Sequence, residues 1–410
     1  MGGLYLESAQ ERSNNFQEVI QPLCRLNADL LRQLDLQVVF AESCTAGMVA
    51  AMLGGTPGIS DYLCGSAVTY RNRTKEDWLG VPAGLLEDPG PVSKEVAGLM
   101  ARGVLESTVE ANVAVSITGH LGPGAPADLD GLVHLGVAFQ DPLSTRDPTV
   151  ETVNRSCRLQ TESRLSRQQE ATCEVMSTLI DVLQVYSGWR DLRSGSVERC
   201  RFSWEHHGCE NPEQGHDATS LSPRFLFPGS FNPSHEGHRA IAEYVATESG
   251  TTVEYELSIE NVDKPGLEFA EVLHRLFQFT GDDPIWLTGQ ATFAGKAALF
   301  PETTFVVGVD TIIRMADSQY YPDETSHQAA IATIRNSGCR FLVFGRLVNR
   351  AMPSVGLESA GFCQLEDLVL PTELDQLCTA VPGSAFRRDI SSTELRVARD
   401  HENHVTGHDE

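Results

Sequence analysis

Two long stretches of this sequence alternate short apolar runs with helical patterns, and a polar stretch with neither divides them; no other feature limits the fold more. In the first, from about Leu23 to Tyr186, strands are expected at Val38-Val39-Phe40-Ala41, Leu63 to Tyr70, Asn112 to Ile117 and Leu132 to Phe139. Met48 to Leu53 reads as a helix, Ser93 as the cap of a helix running to about Leu105, and Glu170 to Val185 as an amphipathic helix. Alternation resumes at Arg224, with strands expected at Phe225-Leu226-Phe227, Trp286-Leu287, Phe305-Val306-Val307 and Phe341 to Phe344. Such alternation builds a mainly parallel sheet covered by helices. At 410 residues the chain exceeds one ordinary core. The expected fold class is therefore α/β in two domains, residues 1–187 and 223–398. A linker at 188–222 joins them, and a polar tail follows at 399–410.

A net charge of -25 excludes the broad basic face that nucleic-acid backbones require. Small phosphates held locally at helix N-termini remain open. No apolar run approaches the ~20 residues that span a bilayer, and Met1 to Gln10 lacks the basic-then-apolar pattern of a secretory signal. Leu6 stands where an N-myristoylation signal requires Ser or Thr. Ten cysteines without a paired framework suit a reducing compartment. A cytoplasmic protein with neither nucleic-acid nor membrane partners is expected. Cys200, His206, His207 and Cys209 cluster, but a second ligand pair at zinc spacing is missing, and no metal site is expected.

In the C-terminal stretch, a strand runs into Gly229-Ser230-Phe231-Asn232-Pro233 and then His235-Glu236-Gly237-His238. A strand, a glycine loop and a helix start present backbone N–H donors at the positive end of a helix dipole. His235 and His238, three apart, share a helix face, from which imidazoles can donate to developing negative charge. Far downstream, Ser391, Ser392 and Thr393 cap a helix and can hold a phosphate, with Arg396 one turn later. The two segments resemble the GxFxPxHxGH and ISSTxxR motifs of the nucleotidylyltransferase superfamily, which implies a Rossmann-like domain that transfers a nucleotidyl group from ATP, taken with Mg²⁺. The run from Phe305 through Asp310 to Thr311 resembles the GxD strand-end of nicotinate and nicotinamide mononucleotide adenylyltransferases. Asp310 could hold a ribose there, or cap the next helix.

In the N-terminal stretch, Ala41-Glu42-Ser43-Cys44-Thr45-Ala46-Gly47 follows a strand and opens a helix, which exposes Ser43 beside helix N–H donors. No histidine lies in a recognisable hydrolase motif, but Tyr70 and Lys75 follow the next strand, and a desolvated lysine can accept a serine proton. On residues alone, an ordinary capped helix with a surface lysine explains this segment as well. Residues 38 to 186 resemble the CinA C-terminal domain family, whose members include nicotinamide mononucleotide deamidases. The resemblance rests on AESCTAG (41–47), TPGISDYLCGSAVTYRNRTKEDWLGV (56–81), GPVSKEVAGLMARG (90–103) and SITGHLGPG (116–124). It implies that Ser43 attacks a carboxamide, that Lys75 shuttles the proton and that Tyr70 assists, with no cofactor. Thr45, Thr118, Gly119 and Gly122 would shape the pocket, and Arg164 would meet the phosphate. His120-Leu121 and Asp130-Gly131 depart from the family pattern, which has a small apolar pair and Lys-Pro at these places.

Together the halves suggest consecutive steps on a pyridine mononucleotide, deamidation and then adenylylation. The implied partners are small nucleotides, with homo-oligomerisation through the N-terminal domain. The competing reading is a nucleotidyltransferase for another phosphorylated acceptor, with a non-catalytic N-terminal binding or oligomerisation domain.

Overall fold

The computed structural model describes residues 2–142, 151–203, 208–210, 222–261, 265–279, 283–348, 355 and 360–387. The chain divides into two compact units, residues 1–187 with 269–277, and residues 188–268 with 278–410.

The first unit opens with helix α1 (Gly2–Leu34), followed by β1 (Val38–Glu42), α2 (Met48–Gly54), β2 (Leu63–Val68), α3 (Asn72–Leu79) and α4 (Ala83–Glu87). Then come α5 (Lys94–Glu106), β3 (Val113–Gly119), β4 (Leu132–Phe139), β5 (Glu151–Arg158) and α6 (Arg164–Ser194). Ser93 caps α5 by accepting from Val96 N, as the sequence suggests. The sheet order is β2-β1-β3-β4-β5, with β1 parallel to β2 and β3, and β4 antiparallel to β3 and β5. Parallel pairing brings the carboxyl ends of β1, β2 and β3 to one edge of the sheet, and the antiparallel turn adds the start of β4 there. Val39, Ala41, Val96, Met100, Val104, Ala114 and Ala138 form a core between sheet and α5.

The second unit holds β6 (Arg199–Ser203) and β7 (Gly208–Glu210), both inside the stretch expected to be a linker. The local signal is weak because β6 alternates only Cys200 and Phe202 as apolar residues, and β7 spans three residues. The main alternation follows as β8 (Phe225–Pro228), α7 (Glu236–Ser249), β9 (Val253–Ser258), α8 (Phe269–Leu276), β10 (Ile285–Thr288), α9 (Phe293–Leu299), β11 (Thr304–Gly308) and α10 (Val309–Ala316). It ends with α11 (Glu324–Asn336), β12 (Arg340–Phe344), the small hairpin β13 (Arg346–Val348) and β14 (Gly361–Cys363), α12 (Thr372–Asp375) and β15 (Cys378–Val381). By its contacts α8 belongs to the first unit.

The large sheet runs β15-β12-β11-β8-β9-β10-β6-β7, parallel from β15 to β10 and antiparallel at β6 and β7. Counted along the chain from β8, the parallel strands lie in the order 3-2-1-4-5-6, the doubly wound arrangement. Strand order therefore reverses between β8 and β11. Trp286, Phe300, Phe305, Ile312, Phe341 and Val343 fill this unit's core.

Among the described residues no helix is long and apolar enough to cross a membrane. Cys24, Cys44, Cys64, Cys157, Cys173, Cys200, Cys339, Cys363 and Cys378 are free.

Candidate active site

Glu42 ends β1 buried, a charged residue where an apolar strand gives way to a loop. Its carboxylate accepts from the hydroxyls of Thr45 (2.9 Å) and Ser66 (2.9 Å) and from the backbone N–H of Gly47 (2.9 Å), Val49 (3.0 Å) and Ala50 (3.0 Å). It thus caps α2 and folds residues 43–47 into a tight turn, with Ala46 and Gly47 in the left-handed region. Charge-assisted bonds to N–H groups at a helix start are among the stronger ones in proteins.

That turn presents Ser43. Lys75 of α3, only 2% exposed, donates from Nζ to Ser43 Oγ at 2.9 Å and to the Thr69 carbonyl at 2.8 Å. Burial pushes its ammonium from 10.5 down to about 8. A fraction of Lys75 is therefore neutral near physiological pH and able to take the Ser43 proton. The neighbouring Cys44 thiol is buried and pushed up to about 12 by desolvation, which keeps it protonated beside the serine.

Ser43 opens onto a cavity of about 300 Å³. Tyr70, Lys75, Thr118, Gly119, Gly122 and Arg164 line it too, as the sequence places them. Arg164 donates to the Tyr70 hydroxyl (2.6 Å) and the Gly122 carbonyl (2.6 Å), tying together three segments distant in sequence. Thr118 donates to the Pro91 carbonyl at 2.8 Å. Gly119 cannot carry a side chain, because a Cβ would lie 2.5 Å from Val133 Cγ1, and Gly122 turns with φ at 60°. Thr45 is the exception among the expected pocket residues: it is not part of the cavity wall, because its hydroxyl turns inward to Glu42. Sequence reasoning passed over Glu42, and also Gln168, which donates to the Cys44 carbonyl at 3.1 Å. A carboxylate closing an apolar strand was the available signal for the first; nothing local marks the second.

The family model described as the CinA C-terminal domain matches residues 21–171. This part of the chain is a CinA C-terminal domain. A CinA-like protein of Geobacter metallireducens is 43% identical over 115 residues, which are 28% of this chain and 28% of that protein. A CinA-like protein of Mycolicibacterium vanbaalenii is 45% identical over 121 residues, 29% of this chain and 28% of that protein. The chain thus spans well under a third of the length of the curated relatives it matches. The solved structure of the competence/damage inducible protein CihA from Agrobacterium tumefaciens is 32% identical, covers 40% of this chain and 94% of that one, and has a TM-score of 0.36.

Outside the CinA C-terminal domain, the second unit places Gly229, Ser230, Phe231, His235, His238 and Asp310 beyond the carboxyl ends of β8 and β11, where strand order reverses. Open α/β sheets bind ligands at this position. Gly229 N donates to the Glu256 carbonyl at 2.9 Å, and Ser230 beside it is exposed. Phe231 is fully buried with φ at 43°, a strained conformation for a non-glycine residue, held among Phe227, Tyr255 and Phe279. His235 caps α7: its Nδ1 accepts from Gly237 N at 3.1 Å, and its own N–H donates to His238 Nδ1 at 3.2 Å. With both Nδ1 atoms accepting, the bonding pattern assigns the remaining proton to Nε2 in each ring. The rings stack with centroids 3.8 Å apart. Desolvation, then the His235 and Arg346 charges, lower His238 to about 3; His235 is lowered by desolvation and Arg346. Both therefore stay neutral Nε2–H donors, and the buried Nε2 of His235 has no partner among the described residues. Asp310, just past β11, pairs with Arg346 at 3.3 Å. Ser391, Ser392, Thr393 and Arg396 lie outside the described residues.

Proposed function

We propose that the CinA C-terminal domain hydrolyses the carboxamide of nicotinamide mononucleotide. The observation that carries this is the 2.9 Å contact between Ser43 Oγ and a desolvated Lys75. Ser43 Oγ attacks the carboxamide carbon while neutral Lys75 takes its proton, and the N–H of Cys44, a residue of the cavity wall, receives the oxyanion. Lys75 returns the proton to the departing nitrogen, the C–N bond breaks and ammonia leaves. Water then attacks the acyl-serine, giving nicotinate mononucleotide and restoring Ser43. Arg164 supplies a cation for the substrate phosphate, and Tyr70 holds Arg164 in place. Ammonia release from nicotinamide mononucleotide by the wild type and by Ser43→Ala tests this reading. It fails if the wild type releases none or the variant releases as much.

A second reading concerns the other unit, and its support is the doubly wound strand order with a neutral histidine pair at the reversal point. We propose that this Rossmann-like unit transfers the adenylyl group of MgATP to a pyridine mononucleotide and releases pyrophosphate. Neutral Nε2–H groups donate to the triphosphate without the repulsion a charged pair would suffer, and positioning supplies most of the catalysis. A panel of phosphorylated acceptors offered with MgATP or MgCTP, scored by pyrophosphate, decides it. Turnover with other acceptors alone would favour a different nucleotidyltransferase. Both reactions suit the cytoplasm, where the free cysteines remain reduced.

A further inference from the structure

The cavity beside Ser43 has one basic side chain that the proposed chemistry does not use. His120 lines it just beyond β3. Its main chain is fixed on both sides, with N–H donating to the Leu132 carbonyl (3.0 Å) and C=O accepting from Gly131 N (2.9 Å). Among the described residues its imidazole makes no hydrogen bond. Arg164, which pins Gly122 two residues on, lines the same cavity.

The charge pattern there is unusual for a chain of net charge -25. Lys75, His120 and Arg164 line the cavity, and no carboxylate does. Asp130, a carboxylate within reach of the His120 charge, is gripped by Arg167 through two bonds of 2.7 and 2.9 Å. Arg158 adds bonds to the Asp128 and Asp130 carbonyls. His134, also within reach of the His120 charge, is engaged with Ser156 at 2.7 Å. Asp130 is thus already paired, and His120 is left available to an anion.

We propose that His120 is a specificity-determining residue that donates to the 5′-phosphate of the mononucleotide, alongside Arg164. This rests on the mononucleotide reading of the same cavity. It makes discrimination between a nucleotide and its unphosphorylated nucleoside a property of His120 and Arg164. A hydrogen bond to a charged group, lost on substitution, weakens binding roughly tenfold.

Two measurements on the whole chain test it. With Ser43→Ala to prevent turnover and ¹³C-labelled histidine, the ring resonance absent from Ser43→Ala/His120→Gln is that of His120. It should shift on adding nicotinamide mononucleotide and stay unmoved with nicotinamide riboside. In steady-state ammonia release, His120→Gln should raise KM for the mononucleotide about tenfold, leave kcat within about twofold, and leave KM for the riboside unchanged. No resonance shift with the mononucleotide, or the same shift with the riboside, overturns the proposal. A phosphate-dependent shift in a chain whose wild type releases no ammonia supports the phosphate contact and overturns the amidohydrolase reading instead.

Discussion

Replacing Lys75 with methionine should silence the amidohydrolase site and alter how stability depends on pH. Lys75 is 2% exposed, and burial moves its ammonium from 10.5 to about 8. That displacement of about 2.5 pH units corresponds to about 3 kcal/mol at 1.36 kcal/mol per unit. The unfolded chain holds this proton more tightly, so unfolding takes up a proton between pH 8 and 10.5. The favourable contribution is complete above 10.5 and is lost as pH falls through about 8. At pH 7 the wild type therefore carries the whole cost of a buried ammonium. Methionine removes the charge at similar length, but leaves Ser43 Oγ and the Thr69 carbonyl each short of a bond, at about 1 kcal/mol apiece. The variant should be the more stable by about 1 kcal/mol at pH 7. The wild type should gain on it by about 3 kcal/mol as pH is raised to 10.5. Urea denaturation of both proteins at several pH values across this window, with ammonia release in parallel, measures the two effects. A wild-type-minus-variant difference that does not change with pH refutes the desolvated lysine. Ammonia release surviving in Lys75→Met refutes its part as the base.

Ammonia release should also rise with pH and level off above about 8, falling about tenfold per unit below, because neutral Lys75 is the active form. A rate independent of pH between 6 and 9 contradicts this. Glu42→Gln puts an amide where three backbone N–H groups converge, and should cost about 2 kcal/mol of stability with slower ammonia release; thermal denaturation and the ammonia assay read the two together. His238→Ala should lower pyrophosphate release about 100-fold or more with ammonia release unchanged. Since His238 sits at about 3, the wild-type pyrophosphate rate should show no limb from this histidine between pH 5 and 8. Phe341→Ala, which empties a fully buried position in the second core, should destabilise by about 3–5 kcal/mol in calorimetry.

The parallel strands that carry the sites were legible because they are buried on both faces and read as unbroken apolar runs, as in Val38 to Ala41 or Phe341 to Phe344. β5 was not, since Glu151-Thr-Val-Asn-Arg-Ser-Cys-Arg158 is an edge strand with one apolar face at most. β6, paired on both sides by β10 and β7, escaped because only Cys200 and Phe202 alternate as apolar residues in it. Ser43, Lys75 and the two histidines stood out through local context and resemblance. The web around them did not: Gln168 lies 124 residues from Cys44 and Arg164 lies 94 from Tyr70, distances at which no local pattern operates.

Phe269 sets a condition on how this protein is made. It is buried in the first unit, with ring centroids 4.5 Å from Phe139 and 5.0 Å from Tyr186, although 82 residues separate it from the end of that unit's main stretch at Ser187. A nascent chain elongating at about 5–20 residues per second leaves that aromatic seat empty for roughly 4–16 s after Ser187 is made. During that interval Phe139 and Tyr186 present apolar surface that only later-synthesised chain can cover. A fragment ending at Ser187 should therefore be the aggregation-prone form, and one that also supplies residues 269–277 the soluble one.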